Sequence, residues 1–300
     1  MAEKRTEALH EHAGGLDQQP PAVVLGFLAD AQVEAAQAVR GAIGSIADAA
    51  KIVAGTLGAG GRLAYAAAGS SGLMALADAL ELPGTYGIPR ARIVVLFAGG
   101  AAALQDMAGA PEDDAAQAAR EVADAGLGKG DCLIAVSASG STPYAVGALE
   151  EAVRRGARTI AIANNAGSPL LECAEAPILL ATPPELIAGS TRMGAGTAQK
   201  IALNMLSTLA AIHLGHVHDG YMVNLFADNI KLRGRAARIV AAVAGCDEQS
   251  ALAALEKTGG EVKPAVLIAA GADAKTAEEL LDGTGRRLRP ALSKLEGSRL

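Results

Sequence analysis

The chain has 300 residues, of which 51% are hydrophobic and 19% are charged, and its formal net charge is −6. This composition supplies enough apolar surface for a large core and excludes an intrinsically disordered protein. The negative charge offers no attraction for nucleic acid or for an anionic membrane. Aromatic residues make up only 2% of the chain, which is too few for base-stacking platforms, so we expect neither partner.

The amino-terminal residues and the cysteines indicate a cytoplasmic protein. No apolar segment follows the polar residues 1–7, as it would in a signal peptide, and no run of about 18 uninterrupted apolar residues predicts a transmembrane helix. Cys132, Cys173 and Cys246 are odd in number and lie far apart. We therefore expect neither a disulfide framework nor a zinc site, as is typical of a reducing compartment.

The first part of the chain predicts an arm followed by alternating helices and strands. Residues 1–21 are polar and form the arm, and the apolar residues of 22–57 recur at helical spacing, with Gly41 dividing them into two helices. Five short apolar runs then alternate with helical patterns, and we predict strands at 63–67, 93–97, 132–137, 159–163 and 178–180. Apolar strands linked by helices are typical of a parallel sheet covered on both faces, so the fold class is α/β, a doubly wound αβα sandwich.

The remainder of the chain is predicted to be helical. Residues 198–214 form one long apolar helix, and 224–243 form another with a basic, solvated face. That face carries Lys231, Arg233, Arg235 and Arg238. The last fifty residues predict three short helices, at about 249–257, 262–270 and 274–281. The chain thus divides into an N-terminal arm (1–21), a sandwich domain with flanking helices (22–245) and a small helical tail (246–300).

Two loops rich in glycine and serine occupy the same place in the predicted sheet. Gly69-Ser70-Ser71 follows the first strand, and Ser139-Gly140-Ser141-Thr142 follows the third. Small residues between a strand and a helix expose backbone N–H groups at the helix N-terminus, where an anion is favoured. The hydroxyls add donors, so the loops predict a phosphorylated ligand, although tight turns and helix caps would use the same residues. No GxxxxGK[ST] motif and no GxGxxG motif after a strand is present, which argues against a nucleotide.

A third segment joins the last strand to the long helix. Residues 185–200 collect hydroxyl, amide and basic side chains near the helix start. Arg192 and Lys200 would be expensive to bury there without anionic or hydrogen-bonded partners. The segment therefore predicts either an elaborate helix cap or a third part of the ligand site.

Residues 189–200, GSTRMGAGTAQK, followed by LNMLST at 203–208, resemble the signature of the N-acetylmuramic acid 6-phosphate etherases, which belong to the SIS (sugar isomerase) superfamily. Shorter matches run in the same order along residues 16–240, and they include both glycine loops. The resemblance implies an SIS-type sandwich with a five-stranded parallel sheet, and a homodimer with active sites near the subunit interface. It implies no metal and no organic cofactor.

The resemblance also implies a reaction. D-lactate is removed from N-acetylmuramic acid 6-phosphate, a phosphorylated amino sugar, to give N-acetylglucosamine 6-phosphate in peptidoglycan recycling. The open-chain aldehyde acidifies the C2 proton, lactate leaves C3 and water adds back, so a base is needed near C2 and an acid near the ether oxygen.

Two glutamates are the catalytic residues that the resemblance implies. Glu81 stands in an Asp-Ala-x-Glu segment where the family has one catalytic glutamate, and we expect it to lie beside the first loop and to assist lactate departure. An ungapped match puts the second glutamate at Gly109, which has no carboxylate. We therefore expect Glu112, three residues later, to act as the base.

The remaining candidate residues are those that bind the substrate. The resemblance and the loop chemistry together select Gly69, Ser70, Ser71, Ser139, Gly140, Ser141, Thr142, Ser190, Thr191, Arg192 and Lys200. Three cations usual in the family are replaced here, by Leu73, Ser141 and Gly194. The loss of these cations weakens charge-assisted recognition of the substrate, and we expect binding of the lactyl carboxylate to be affected most. The hydroxyls of the loops can still hold a phosphate.

Two other functions remain open from the sequence. A non-catalytic SIS protein that binds a sugar phosphate and regulates a partner would tolerate Gly109. A sugar-phosphate isomerase would use the same aldehyde chemistry without an ether to cleave. A metal site at His213, His216 and His218 with Asp219 is disfavoured, because Gly215 and Gly220 indicate a turn at a polar helix end.

Overall fold

The computed structural model describes residues 5–225 and 230–297. Its contacts divide the chain into two compact units. The sheet unit comprises Met1–Ala79 and Ala91–Leu209, and the C-terminal unit comprises Leu80–Arg90 and Ala210–Leu300. This division falls at residue 210, earlier in the sequence than the domain boundary that we predict at residue 245.

A five-stranded parallel sheet forms the centre of the sheet unit. Its strands are β1 (Leu63–Ala67), β2 (Ile93–Phe97), β3 (Cys132–Ser137), β4 (Arg158–Ala163) and β5 (Ala176–Leu179). They lie in the order β2-β1-β3-β4-β5, and each neighbouring pair is parallel. Every residue of β1 and β3 is buried, as expected for central strands covered on both faces. The predicted fold class is confirmed.

Helices cover the sheet and make up the C-terminal unit. The described helices are α1 (Pro21–Ala38), α2 (Ile43–Gly58), α3 (Gly69–Tyr86), α4 (Ala115–Asp124), α5 (Pro143–Arg154), α6 (Pro169–Cys173), α7 (Gly194–His213), α8 (Ile230–Ala244), α9 (Glu248–Lys257), α10 (Val262–Ala269), α11 (Ala274–Asp282) and α12 (Leu288–Gly297). The predicted helix at 224–243 begins later, at Ile230, and residues 226–229 lie outside the described residues.

Residues 246–297, the described part of the tail, contain one helix more than the three that the sequence predicts. In α12 the side chains of Leu288, Ala291 and Leu295 are buried, at the spacing of one helix face. They join a core that also includes Val240 and Leu267, so the C-terminal unit has its own hydrophobic core. The basic residues Arg286, Arg287 and Arg289 around the start of α12 conceal this periodicity in the sequence.

One helical run, Pro21–Gly58, is long and apolar enough to cross a membrane when judged by length and hydropathy alone. Only 11% of its most apolar window is buried. However, Asp30, Glu34 and Arg40 lie within the run, and a 3₁₀ turn at Val39–Ala42 separates α1 from α2. Since ionised side chains are expensive inside a bilayer, we interpret the run as two separate helices and not as a membrane span.

Candidate active site

The first loop lies at the carboxyl end of β1. Gly69 begins α3 with a φ of +53°, a conformation that other residues adopt only with strain. A Cβ atom on Gly72 would lie 2.6 Å from the Phe97 ring, so glycine allows the first turn of α3 to pack against the end of β2. Ser71 is buried and Ser70 is half-buried. The two serines are thereby held at a helix N-terminus on one edge of the sheet.

The Glu112 carboxylate lies directly over this loop. A Cβ atom on Gly69 would be only 2.7 Å from Glu112 Oε1. Glu112 belongs to the 3₁₀ turn Ala110–Asp113, which follows β2 in the chain. Burial raises the pKa of Glu112 above its ordinary value, and the neighbouring negative charge of Asp113 raises it further. A half-buried carboxylate with a raised pKa is suited to accept a proton near neutral pH.

Gly109, which the ungapped match aligns with a family glutamate, has a different environment. It is exposed, and a Cβ atom at this position would meet no atom within 4 Å. The carboxylate that contacts the first loop is thus the one three residues later.

The second loop brings four hydroxyls together at the carboxyl end of β3. Ser137 Oγ lies 2.8 Å from Thr142 Oγ1 and 3.3 Å from Ser139 Oγ. Ser139 Oγ accepts from Ser141 N at 3.1 Å and from Ser141 Oγ at 3.2 Å. Thr142 is the N-cap residue of α5, yet its hydroxyl makes no capping bond. The cluster therefore holds donors and acceptors ahead of a helix N-terminus, which is the arrangement expected for an anion site.

Gly140 allows this loop to close. Its φ is +67°, and a Cβ atom would overlap the Ser168 side chain. Ser137, which we do not single out from the sequence, positions the loop, because its hydroxyl also accepts a hydrogen bond from Gly140 N at 3.1 Å. The sequence feature that could have indicated this positioning role is a serine at the last position of an otherwise apolar strand.

The third segment is organised by Glu185, another residue that the sequence does not single out. Its buried carboxylate accepts from Gly194 N and Ala195 N, each at 2.8 Å, and so caps α7. This N-terminus is already neutralised by a protein carboxylate and is a poor site for a further anion. Arg192 and Lys200 are exposed, so the desolvation cost expected for their burial does not arise. Ser190 and Thr191 are half-buried ahead of the helix.

The N-terminal arm contacts both the second loop and the third segment. Thr6 is buried, donates its amide to Asn165 Oδ1 and accepts from Asn165 Nδ2 through its hydroxyl. Asn165 Nδ2 also donates to Ser139 O at 3.3 Å, and Gly189 N donates to Thr6 O at 3.0 Å. The composition of the arm does not indicate this role, since one threonine carries it.

Sheet order places the two loops and Glu112 at one edge of the sheet. β1 lies between β2 and β3, so Glu112, the first loop and the second loop follow three adjacent parallel strands. Neighbouring strands are about 4.8 Å apart, and their carboxyl ends share one edge. From β1 the chain continues to β2 on one side, whereas from β3 it continues to β4 on the other side. The crevice between the carboxyl ends of two such strands is the usual ligand position in an open α/β sheet.

Glu81 belongs to the C-terminal unit, whereas the two loops and Glu112 belong to the sheet unit. Its side chain is exposed near the end of α3. The expectation that Glu81 assists lactate departure beside the first loop stays a prediction.

The histidines of the C-terminal unit do not form a metal centre in the described part of the chain. No group of three or more His, Cys, Asp or Glu side chains there could hold a metal ion. His216 is half-buried, and His218 contacts Asp219 at 3.6 Å.

Known proteins similar to this chain share most of its length. The family profile described as SIS domain matches residues 27–164. An N-acetylmuramic acid 6-phosphate etherase from Deinococcus radiodurans is 43% identical over 265 residues, which cover 88% of this chain and 87% of that protein. One from Symbiobacterium thermophilum is 43% identical over 262 residues, covering 87% of each. Among solved structures, a phosphoheptose isomerase from Francisella tularensis has a TM-score of 0.48 and 21% identity, covering 65% of this chain and 98% of that chain.

The two etherases align across both glycine loops, the 3₁₀ turn that carries Glu112 and the segment before α7, since the matches span nearly nine-tenths of this chain. Identity above 40% over such a length reflects common descent and not only a shared fold. This chain therefore belongs to the N-acetylmuramic acid 6-phosphate etherase family.

Proposed function

We propose that the protein is a carbon–oxygen lyase that converts N-acetylmuramic acid 6-phosphate and water into N-acetylglucosamine 6-phosphate and D-lactate. The observation that carries this proposal is the Glu112 carboxylate, which has a raised pKa and lies against the loop that begins at Gly69. The family relationship gives the reaction, and the position of this carboxylate supports its first step.

The reaction divides into an elimination and a hydration. Glu112 takes the proton from C2, which the open-chain aldehyde has acidified, and the C–H electrons form a C2–C3 double bond. The C3–O bond breaks, and Glu81 gives the departing lactate oxygen a proton. Water then adds across the double bond, with its oxygen on C3 and a proton returned to C2. The hydroxyls of the second loop hold the phosphate throughout.

The test is to incubate the pure protein with N-acetylmuramic acid 6-phosphate in ¹⁸O-labelled water and to assay lactate. We expect one D-lactate for each sugar consumed, with ¹⁸O in the C3 hydroxyl of the amino sugar and none in lactate. Binding without lactate release would contradict the proposal and favour the regulator. An isomerised sugar that retains its lactyl group would favour the isomerase.

We further propose that the protein works as a cytoplasmic homodimer and that α1 forms part of the dimer contact. The apolar side chains of Val23, Leu25 and Val33 on this helix are exposed in the single chain. Leu25 also lines a groove of about 590 Å³, together with other residues of the arm and of α1 and with Leu186 and Ile187. A second copy of the same surface would remove this apolar area from water, which favours association by roughly 25 cal/mol per Å².

Replacing Leu25 with glutamate should shift the protein from dimer to monomer, because the new carboxylate would be buried in an apolar contact without a partner. Light scattering after gel filtration measures the change. Val153→Glu is the matched control, since Val153 is a similarly exposed apolar residue on α5. A Leu25→Glu protein that remains dimeric would place the contact elsewhere.

A further inference from the structure

A small cavity lies at the start of α10 and is lined only by residues of the C-terminal unit. Its volume is about 180 Å³. One wall forms where Gly87 approaches Asn224 so closely that a Cβ atom would overlap the Asn224 backbone, and Asn224 Nδ2 fixes this wall by donating to Tyr86 O at 3.0 Å. The cavity is larger than a few water molecules require and matches a small polyatomic ion with its hydration.

Lys263 lines this cavity and is only 3% exposed. Within residues 5–225 and 230–297, its ammonium forms no ion pair and no hydrogen bond. Burial lowers the pKa of Lys263 to about 8, and the positive charge of Arg286 contributes to the decrease. The Nζ atom is not one of the fully buried polar atoms without a partner, so the ammonium end of this otherwise buried side chain reaches the open space of the cavity. An anion in the cavity would offset the desolvation of the lysine.

The acidic side chains near the cavity are already engaged by Arg286. Its guanidinium contacts Glu261 at 3.4 Å, Glu278 at 3.0 Å and Asp282 at 3.5 Å. The charged residues that line the cavity are Glu261, Lys263 and Arg286, so the lining itself carries one positive charge in excess. Glu278 and Asp282 do not line the cavity and interact with the Arg286 charge from outside it.

The helix end beside the cavity reinforces a positive potential. The cavity lies at the N-terminus of α10, an eight-residue helix whose N-cap residue, Glu261, makes no side-chain capping bond. The partial positive charge of this helix end adds to that of Lys263. His216 is close enough for the Lys263 charge to matter, because burial and that charge together lower its pKa to about 4, and its Nδ1 has no partner among the described residues.

We propose that this cavity binds a phosphate-type oxyanion, either inorganic phosphate or the phosphate group of a monoester, through the Lys263 ammonium and the N-terminus of α10. The site consists of residues that the proposed reaction does not use, and it would make the C-terminal unit a sensor of phosphate compounds. Its occupancy neutralises the Lys263 charge and stabilises that unit.

The binding test uses full-length protein in which Ser139→Ala and Thr142→Ala weaken the second loop, so that the cavity dominates phosphate binding. Calorimetry with inorganic phosphate should give one site per chain. Adding Lys263→Met should weaken binding at least tenfold, because the charge is lost while the length of the side chain is kept. Lys257→Met is the matched control, since Lys257 is exposed on α9 and should leave binding unchanged. Glycerol 3-phosphate as a second probe shows whether a monoester competes.

A second measurement keeps the proposal falsifiable if Lys263→Met alters the fold. In the Ser139→Ala and Thr142→Ala protein at pH 8, with Lys263 intact, sulfate binding at the cavity should draw about half a proton per ion from the buffer, because the bound anion completes the protonation of Lys263. Calorimetry in two buffers of different ionisation enthalpy measures this uptake. Phosphate affinity that survives Lys263→Met, or sulfate binding without proton uptake, would overturn the proposal.

Discussion

Replacing Glu112 with glutamine should stop exchange of the substrate C2 proton with deuterated water and, with it, release of lactate. The amide is nearly isosteric with the carboxylate but cannot accept a proton, and loss of a general base typically costs 10²- to 10⁴-fold. Proton NMR of the substrate in D₂O measures exchange, and a coupled lactate assay measures elimination. Exchange that persists in Glu112→Gln would show that another group is the base.

Two further variants separate this role from general effects of charge. Asp113→Asn removes an exposed neighbouring carboxylate whose charge raises the pKa of Glu112. A base works only when it is deprotonated, so this variant should stay active and its acidic activity limb should move to lower pH. Glu81→Gln should preserve exchange and stop lactate release, because proton removal at C2 precedes cleavage at C3.

The double variant Ser139→Ala and Thr142→Ala should weaken binding of the sugar phosphate about 100-fold. Each hydroxyl can donate to a charged phosphate oxygen, and such a bond contributes roughly 1.5–3 kcal/mol. Ser137 Oγ also loses two neighbours, so we expect a decrease of about 1 kcal/mol in the free energy of unfolding.

Calorimetry with the phosphorylated and unphosphorylated sugars measures this effect. The unphosphorylated sugar is the matched control, and its affinity should change little. An unchanged affinity for the phosphorylated sugar would remove the phosphate from the second loop.

The sheet could be predicted because each strand is an apolar run that ends at small or polar residues. β1 and β3 are buried along their whole length, so every position is under the same demand for apolar side chains. The positions of the loops follow from this, since parallel strands must end at a common edge. The bounds of β4 and β5 differ by one or two residues from those that we predict, as strand ends carry the weakest pattern.

The contacts within the site could not be predicted in the same way. Glu112 reaches Gly69 only because the turn Ala110–Asp113 follows β2 and returns toward β1, a path that sequence spacing does not encode. Glu185 caps α7 from nine residues upstream, and the sequence offers Arg192 and Lys200 as more conspicuous candidates. From a sequence, charged residues are selected as candidate ligands whether or not the fold places them in the site.

The contact between Thr6 and Asn165 has a consequence for how the protein folds. The two residues are 159 positions apart, so the arm must wait for β4 to be synthesised and paired before it can dock. Contacts of such long range form late, since closing the loop costs entropy that only a nearly complete sheet repays. A nascent chain would therefore acquire its strands first, and the second loop would gain its bond from Asn165 to Ser139 without help from the arm. Docking of Thr6 would be among the last events, although Thr6 is synthesised before every strand of the sheet that it docks against.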